Sequence, residues 1–312
     1  MKDDNARILV IGAGVNGSAC ATILHKSGID VTIMARGKRY DEICEDGIII
    51  ENPINNERSI TKVKVINALN PNDFYDYIFV IMRKNQALEL LPILAQNKSP
   101  NIVFMGNTLA SPDEYTNALG KDRVLLGSVY AGGKRDGNVI KAIVKKSNAV
   151  PFGEIDGSTT PRLKKLISIL NRGISKAKLS TCIVDHLMTH AAIIPSFANL
   201  TIKHGCDISA LAKSTSDLNL MVDAMRESYS VIQSLGYRIV PKSEYIIMII
   251  PKFILVVIFR KLLSSKYGEV GMGYHISQAP DEMRHLSQEL RILVEKTRLP
   301  VPALRAVLDL QP

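Results

Sequence analysis

Two histidines lie four residues apart in the segment DHLMTHAAIIPS, which covers residues 185–196. On a helix, residues at this spacing share one face, so His186 and His190 could act on the same ligand. Such a pair can bind a metal, and it can donate a proton near neutral pH, where imidazole ordinarily titrates. Histidines that only take part in packing can have the same spacing. The pair alone therefore leaves three interpretations open.

A glycine pattern near the start of the sequence is the second feature that could do chemistry. It follows an apolar run and precedes a helical pattern, and it consists of Gly12, Gly14 and Gly17 with Val15 and Asn16 between the last two. In a strand–turn–helix unit, the first glycine makes a tight turn, the second lets a pyrophosphate approach, and the third allows close helix packing. The helix start, at Val15 and Asn16, presents free N–H groups to the phosphates. We predict a dinucleotide site here.

The end of the second strand indicates which dinucleotide is bound. The strand DVTIMAR ends at Arg36, Lys38 and Arg39 follow, and the first carboxylate after the strand is Asp41. Sites for NAD usually have an acidic residue at this strand end, which binds the ribose 2′-hydroxyl. A guanidinium instead suits the 2′-phosphate of NADP. We predict NADP(H) as the cofactor, with Arg36 as a ligand.

Further strand and helix patterns extend this unit to about residue 180. Strands are predicted over GIIIE, SITKVKVI, DYIFVIMR and NIVFMGN, a hairpin over RVLLGSVYAGGKRDGNVIKAIV, and a helix that has Thr159 or Thr160 as its cap. Beyond residue 180 the pattern is almost entirely helical. We predict an α/β fold with a Rossmann-type NADP-binding domain over 1–180, a helical substrate and dimerisation domain over 181–312, and an active site in the cleft between them.

The composition limits the classes of partner. The chain has 312 residues, a net charge of +9 that is scattered along it, no Trp and 5% aromatic residues. Scattered charge identifies no partner, and the scarcity of aromatic residues argues against a nucleic-acid stacking surface. Four cysteines without close pairing indicate free thiols, and MKDDNARILV does not have the pattern of a signal peptide. We expect a cytoplasmic protein that does not bind nucleic acid.

One stretch resembles a membrane segment. Residues 244–263 read EYIIMIIPKFILVVIFRKLL, and the apolar run is broken by Pro251 and Lys252. A membrane-spanning helix needs roughly 20 largely uncharged residues. A buried helix or the surface of a homodimer is therefore the expected role, and an interfacial membrane anchor is the alternative.

Several landmarks together resemble the ketopantoate reductase (2-dehydropantoate 2-reductase) family over most of the chain. After the glycine pattern and Arg36, the sequence has Arg83 and Gln86 three apart in IMRKNQ, Asn107 at the end of VFMGN, and Glu282 at the family's distance before the VP pair of LPVPALRAVL. The resemblance implies a Rossmann domain, a helical domain and NADPH-dependent reduction of a 2-oxo acid in pantothenate biosynthesis. It implies that Asn107 lies near the nicotinamide and that Glu282 binds a cofactor ribose. On the same resemblance, we predict Arg83 and Gln86 as cofactor-binding residues as well.

The sequence departs from the family on the substrate side. The family's catalytic helix reads K-x-x-x-N-x-x-x-N-P, and alignment on Pro195 puts His186 at the lysine and His190 and Ile194 at the two asparagines. The serine that the family has before its glutamate is also missing, with Val270 in that region. We therefore expect a small carbonyl substrate, most simply a 2-oxo acid, that differs from ketopantoate.

Within this resemblance, the histidines could take over the role of the lysine. Hydride delivery to a ketone leaves charge on its oxygen, so a positioned acid lowers the barrier. His186 or His190 would be that acid, and Arg83 or Lys84 could bind a substrate carboxylate. A metal site needs a third ligand, and the HxxxH pattern lacks the glutamate of H-E-x-x-H, so we predict no metal. Packing histidines in a protein that has lost activity remain the alternative.

The cofactor residues have simpler explanations as well. Asn107 could only make a turn, Glu282 could be a solvated residue of a first helical turn, and Arg83 could be an ordinary surface charge. Together the patterns predict an NADPH-dependent oxidoreductase of the ketopantoate reductase type. The alternatives are a catalytically silent NADP-binding sensor or partner protein and, from the apolar stretch, a peripheral membrane protein.

Overall fold

The computed structural model describes residues 6–129, 131–144, 149–172 and 176–310. Packing divides the chain into two compact units. The first comprises Met1–Gly106 and Ser111–Ile183, and the second comprises Asn107–Ala110 and Val184–Pro312. The predicted domain boundary near residue 180 lies close to the end of the first unit.

The first unit alternates strands and helices. Its strands are β1 (Arg7–Ile11), β2 (Asp30–Met34), β3 (Ile48–Glu51), β4 (Arg58–Thr61), β5 (Lys64–Ile66), β6 (Tyr77–Val80), β7 (Ile102–Met105), β8 (Val124–Gly127), β9 (Ala131–Asp136), β10 (Val139–Val144), β11 (Val150–Gly153) and β12 (Ala177–Leu179). Its helices are α1 (Val15–Lys26), α2 (Lys38–Asp46), α3 (Lys84–Glu89), α4 (Leu91–Gln96), α5 (Asp113–Leu119) and α6 (Pro161–Leu170).

The main sheet has the strand order β12-β11-β8-β7-β6-β1-β2-β5. Strand β1 lies between β6 and β2 and is parallel to both, with Ile11 opposite Val80 on one side and Met34 on the other. The chain therefore builds the sheet outward from β1 in both directions, with β2 and β5 on one side and β6 and the later strands on the other. In open parallel sheets, the carboxyl ends of the strands at such a reversal form a ligand-binding crevice.

A second sheet of four strands, in the order β4-β3-β10-β9, was not anticipated from the sequence. The segment SITKVKVI was predicted as one strand, and this prediction is wrong. Thr61 pairs with Ile48 in the second sheet, whereas Lys64 pairs with Thr32 in the main sheet. The predicted hairpin also divides, because β9 and β10 pair in the second sheet while β8 joins the main sheet. Apolar periodicity indicates a strand but does not assign it to a sheet.

The burial of the central strands is typical of a parallel sheet. Strands β6 and β7 are buried along their whole length, as expected of a sheet covered on both faces. Helix α6 begins as predicted, because Thr160 accepts a hydrogen bond from the Leu163 N–H and Pro161 occupies the first turn.

The second unit is helical. It contains α7 (Ile183–Lys203), α8 (Ile208–Lys213), α9 (Thr215–Ser234), α10 (Ile246–Ile249), α11 (Lys252–Leu263), α12 (Lys266–Gly268), α13 (Tyr274–Gln278), α14 (Pro280–Glu295) and α15 (Pro302–Leu308). Helices α7, α9, α14 and α15 contribute most of its apolar core. Within the described ranges, no helix is both long and apolar enough to cross a membrane. The predicted fold class, a Rossmann-like parallel sheet followed by a helical region, is confirmed.

Candidate functional site

The glycine pattern that follows β1 has no room for side chains at two of its three positions. Gly12 has a φ of +106°, and a Cβ there would lie 2.3 Å from the carbonyl oxygen of Ile81. A Cβ on Gly17 would lie 1.7 Å from the carbonyl oxygen of Gly12. Gly14 is exposed, and a Cβ there would meet nothing within 4 Å. The first and third glycines thus shape the loop, and the second leaves open space above it.

The start of α1 fits an anionic ligand. Its first turn has no acidic residue, and the first N–H groups of a helix have no acceptor within the helix. The side chain of Val15 packs against the first unit's core, and Asn16 Oδ1 accepts a hydrogen bond of 2.8 Å from the Ala131 N–H. These two side chains hold the start of the helix in place. We therefore expect Val15 and Asn16 to bind a pyrophosphate through their backbone N–H groups.

Arg36 lies just beyond β2, where the sequence places it. Ala35 holds the strand end through a hydrogen bond of 3.0 Å from its N–H to the Ile66 carbonyl. The Arg36 side chain is exposed, and within the described ranges its guanidinium makes no hydrogen bond or ion pair. An accessible cation at this strand end fits a 2′-phosphate.

Arg39, by contrast, is a structural residue. It is 7% exposed, its Nε donates to the Ala13 carbonyl at 3.2 Å, and its guanidinium contacts Ser18 Oγ at 3.3 Å and Glu42 Oε2 at 3.0 Å. Burial lowers the pKa of Arg39, and the hydrogen bond to Glu42 opposes that shift. The arginine therefore supports the glycine loop through the Ala13 carbonyl. The sequence analysis missed this role, because Arg39 stood out only as one of the basic residues that follow the second strand.

Replacement of Arg39 by alanine is expected to cost about 2–3 kcal/mol in the free energy of unfolding, because it leaves the Glu42 carboxylate and the Ala13 carbonyl without their donor. Urea unfolding measures the effect. The control is Arg58→Ala, an exposed arginine on β4; a change within about 0.5 kcal/mol is expected there. Equal unfolding midpoints for the two variants would contradict the assigned role.

Arg83 and Gln86 follow β6, which is the neighbour of β1 in the main sheet. Arg83 precedes α3 and its carbonyl accepts a hydrogen bond of 2.9 Å from the Ala87 N–H, while Gln86 is half-buried within α3. The segment between β6 and Arg83 borders the glycine loop, because the Ile81 carbonyl oxygen lies where a side chain on Gly12 would be. Lys84 pairs with Glu114 at 2.8 Å, so its charge is already compensated.

Two residues picked out by the family resemblance meet in the second unit. Asn107 Nδ2 donates a hydrogen bond of 2.9 Å to Glu282 Oε1, and His275 Nε2 lies 3.4 Å from Glu282 Oε2. The Glu282 side chain is 11% exposed. The alternative that Glu282 is a solvated helix residue is therefore wrong. The hydrogen bond from the Asn107 amide holds its carboxylate in a defined orientation.

A second carboxylate holds the same segment and was not predicted. Glu289 accepts hydrogen bonds of 2.7 Å from the Leu109 N–H and 3.1 Å from Thr108 Oγ1, and His285 Nε2 lies 3.2 Å from its Oε1. Glu289 lies two helical turns beyond Glu282, so both carboxylates are on one face of α14. The spacing of seven residues between Glu282 and Glu289 was the only feature of the sequence that pointed to Glu289. Residues 107–110 are thus fixed to α14 at two points.

The histidine pair lies on α7, on the less buried side of the helix. His186 is half-buried and His190 is exposed, and the less buried stripe continues through Ile193 and Phe197. Ile194, which the alignment places four residues after His190, is not part of this stripe. Ile194 is 4% exposed and packs in the helical core. One asparagine position of the family motif is therefore a core position here.

The amino-terminal turns of α7 are anchored. Arg238 Nε donates to Asp185 Oδ2 at 2.6 Å, and Thr189 Oγ1 accepts from the Val240 N–H at 3.0 Å. The histidines therefore stand on a fixed part of the helix, as a positioned acid requires. Within the described ranges, no three His, Cys, Asp or Glu side chains converge as metal ligands.

The chain is similar to known proteins in sequence and in fold. Residues 8–157 match the sequence model of the ketopantoate reductase family, PanE/ApbA. No curated protein sequence matches the chain. One similar solved structure is D-mandelate dehydrogenase in a ternary structure with NADH and anilino(oxo)acetate, with a TM-score of 0.78, 15% identity, and coverage of 97% of this chain and 96% of that one.

Two further structures are named as ketopantoate reductases. The 2-dehydropantoate 2-reductase from Geobacter metallireducens GS-15 has a TM-score of 0.78 at 15% identity, with 98% of both chains covered. The dimeric ketopantoate reductase from Staphylococcus aureus has a TM-score of 0.69 at 14% identity, with 97% of this chain and 96% of that one covered. At these identities the likeness shows a common fold.

Proposed function

We propose that this chain, whose residues 8–157 match the model of the ketopantoate reductase (PanE/ApbA) family, is an NADPH-dependent oxidoreductase that reduces a small carbonyl compound. The observation that carries the proposal is the open glycine loop between β1 and α1, beside a strand that ends at the exposed Arg36. The loop suits a dinucleotide pyrophosphate and the arginine suits a 2′-phosphate. Oxidoreductase activity is the common property of the family.

A 2-oxo acid is the substrate class that we propose. The family reduces a 2-oxo acid, and the similar D-mandelate dehydrogenase structure holds anilino(oxo)acetate together with NADH. His186 stands where the family has its lysine, and Ile194 is buried where the family has an asparagine. These two differences on the substrate side support an acid other than ketopantoate, and we do not extend the proposal to pantothenate biosynthesis.

We propose a separate role in the reaction for each of these residues. The nicotinamide, when bound, supplies the hydride. His186, assisted by His190 one turn along α7, would donate a proton to the carbonyl oxygen as it gains charge. Arg83 would pair with the substrate carboxylate. Glu282, already oriented by Asn107 at 2.9 Å, would accept hydrogen bonds from a cofactor ribose.

The alternative of a catalytically silent NADP-binding protein is not favoured. The chain keeps imidazole groups on α7, where the family has its proton donor, and the N-terminal turns of that helix are anchored by Asp185 and Thr189. A protein that had only to sense the cofactor would not need a fixed donor at this place.

Arg36→Ala tests the cofactor assignment. We expect the unchanged protein to bind NADPH at least about 10-fold more tightly than NADH, since charge-assisted bonds to the 2′-phosphate contribute about 1.5–3 kcal/mol. The variant should weaken NADPH binding by about 10- to 100-fold and leave NADH binding within about 3-fold. Isothermal titration calorimetry with both cofactors measures these affinities.

The matched control is Arg58→Ala, an exposed arginine on β4 in the second sheet. Its loss should leave both affinities unchanged, because β4 lies outside the sheet that carries the glycine loop. Equal affinities of the unchanged protein for NADPH and NADH would refute the assignment of the 2′-phosphate to Arg36.

A further inference from the structure

A short segment after β7 is held by α14. Residues Asn107–Ala110, which we call the 107–110 segment, belong to the second compact unit, whereas Gly106 before them and Ser111 after them belong to the first. The structure describes the segment in full, and it contains no helix or strand. Contacts with α14 therefore have to hold its backbone, and they determine where the Asn107 side chain stands.

The carboxylate of Glu289 binds the middle of the 107–110 segment. The Leu109 N–H donates to Glu289 Oε2 at 2.7 Å, and the Thr108 hydroxyl donates to Oε1 at 3.1 Å. Hydrogen bonds to an ionised acceptor are roughly twice as strong as those between neutral groups. Thr108 Oγ1 also accepts a hydrogen bond of 3.1 Å from the Ala110 N–H. One carboxylate and one hydroxyl thus fix the backbone from residue 108 to residue 110.

The burial of this contact makes it demanding. Glu289 is 7% exposed, and its neighbours Leu286 and Leu290 on α14 are fully buried in the apolar core. A buried carboxylate is costly unless hydrogen-bond donors surround it. Leu109 is 2% exposed, so its N–H likewise needs an acceptor. Each group therefore satisfies the other, and loss of either leaves its partner buried without it.

The same helix also holds the first residue of the segment. Asn107 Nδ2 donates to Glu282 Oε1 at 2.9 Å, and Thr108 is the next residue along the chain. Glu282 and Glu289 are seven residues apart on α14, which is about 10 Å along the helix axis. Two carboxylates on one rigid helix therefore bind the side chain of Asn107 and the backbone that carries it.

We propose that Glu289 is a positioning residue of the reductase, which fixes the 107–110 segment on α14 so that Asn107 and Glu282 keep the arrangement that receives the nicotinamide end of NADPH. The inference rests on the proposed function, in which Asn107 lies near the nicotinamide and Glu282 binds a ribose. Glu289 itself is directed at the segment and acts through these two residues. Supporting residues of this kind matter because small displacements of a binding group cost affinity and rate.

The test compares two ligands by isothermal titration calorimetry on the full chain. Adenosine 2′,5′-bisphosphate has the adenosine end of NADPH, including the 2′-phosphate assigned to Arg36, and lacks the nicotinamide and its ribose. Glu289→Ala should weaken NADPH binding by about 10-fold or more and leave bisphosphate binding within about 3-fold, because only the nicotinamide end loses its fixed partners. Glu289→Gln should stay within about 3-fold for both ligands, since its amide oxygen still accepts from the Leu109 N–H.

A second variant reaches the same contact from the other side. Thr108→Val keeps the shape of the side chain and removes the hydroxyl that donates to Glu289, so NADPH affinity should fall by about 3- to 10-fold with bisphosphate affinity unchanged. The matched control is Glu295→Ala, which removes an exposed carboxylate from the last turn of α14 and should change neither affinity. Circular dichroism shows whether each variant retains its helices.

The outcomes separate the positioning role from the proposed function. Equal losses of both ligands, or an NADPH affinity that Glu289→Ala leaves unchanged, would overturn the positioning role. If Glu289→Ala does not fold, Thr108→Val decides, and NADPH affinity within about 2-fold of the unchanged protein would overturn it as well. Failure of the cofactor assignment has another signature, because the unchanged protein would then bind neither ligand, and the positioning role would fall with it.

Discussion

The double variant His186→Ala/His190→Ala is expected to oxidise NADPH roughly 10²- to 10⁴-fold more slowly in kcat with the 2-oxo acid that the unchanged protein reduces, which is the usual contribution of a positioned general acid. Its affinity for NADPH should not change, because neither histidine is among the residues assigned to the cofactor, such as the glycine pattern, Arg36 and Glu282. Steady-state kinetics with calorimetry of cofactor binding separate the two effects.

Two further variants make that experiment specific. His25→Ala removes an exposed histidine from the last turn of α1 and should leave kcat unchanged. His186→Lys restores the cation that the related reductases have, so it should retain more activity than His186→Ala. A kcat within about 3-fold of the unchanged protein after loss of both histidines would exclude them as the proton donor, since a general acid contributes at least about 10².

Gly17→Ala is expected to cost about 3 kcal/mol or more in the free energy of unfolding and to abolish NADPH binding. The added Cβ would lie 1.7 Å from the backbone oxygen of Gly12, so helix and loop must separate. Severe effects of this kind come from strain that the backbone has to absorb. Thermal unfolding and NADPH titration measure the two losses.

Gly14→Ala distinguishes the roles of the two glycines. A Cβ at Gly14 meets nothing within 4 Å, so stability should change little, within about 1 kcal/mol. The same methyl group would occupy the space through which a pyrophosphate approaches, so NADPH affinity should still fall. If Gly17→Ala had the stability of the unchanged protein, the close packing of α1 on the loop would not be essential.

Local patterns predicted much of the first unit. The strand–turn–helix unit around Gly12 and the cap of α6 at Thr160 depend on residues close in sequence, so their signals are complete within short windows. The second sheet depends on pairing between distant segments, such as Ile140 with Ile50. Alternating apolar residues carry no information about such a partner. This is why SITKVKVI was predicted as one strand.

The site shows the same limit. Asn107 and Glu282 are 175 positions apart, and only the family resemblance connected them before the structure showed their hydrogen bond. His275 and Glu289 depend on the same packing, and the sequence could not place them. The sequence showed Arg39 only as one of the basic residues after the second strand, because a sequence window does not reveal that its side chain turns back to the Ala13 carbonyl.

The most direct test of the reductase proposal is consumption of NADPH with a panel of small 2-oxo acids, including pyruvate, 2-oxobutyrate, 2-oxoisovalerate, phenylglyoxylate and ketopantoate, followed by the loss of reduced-nicotinamide absorbance. We expect turnover with at least one acid other than ketopantoate, formation of the corresponding 2-hydroxy acid, and much slower turnover with NADH. Tight NADPH binding without turnover of any acid in the panel would contradict the reductase proposal.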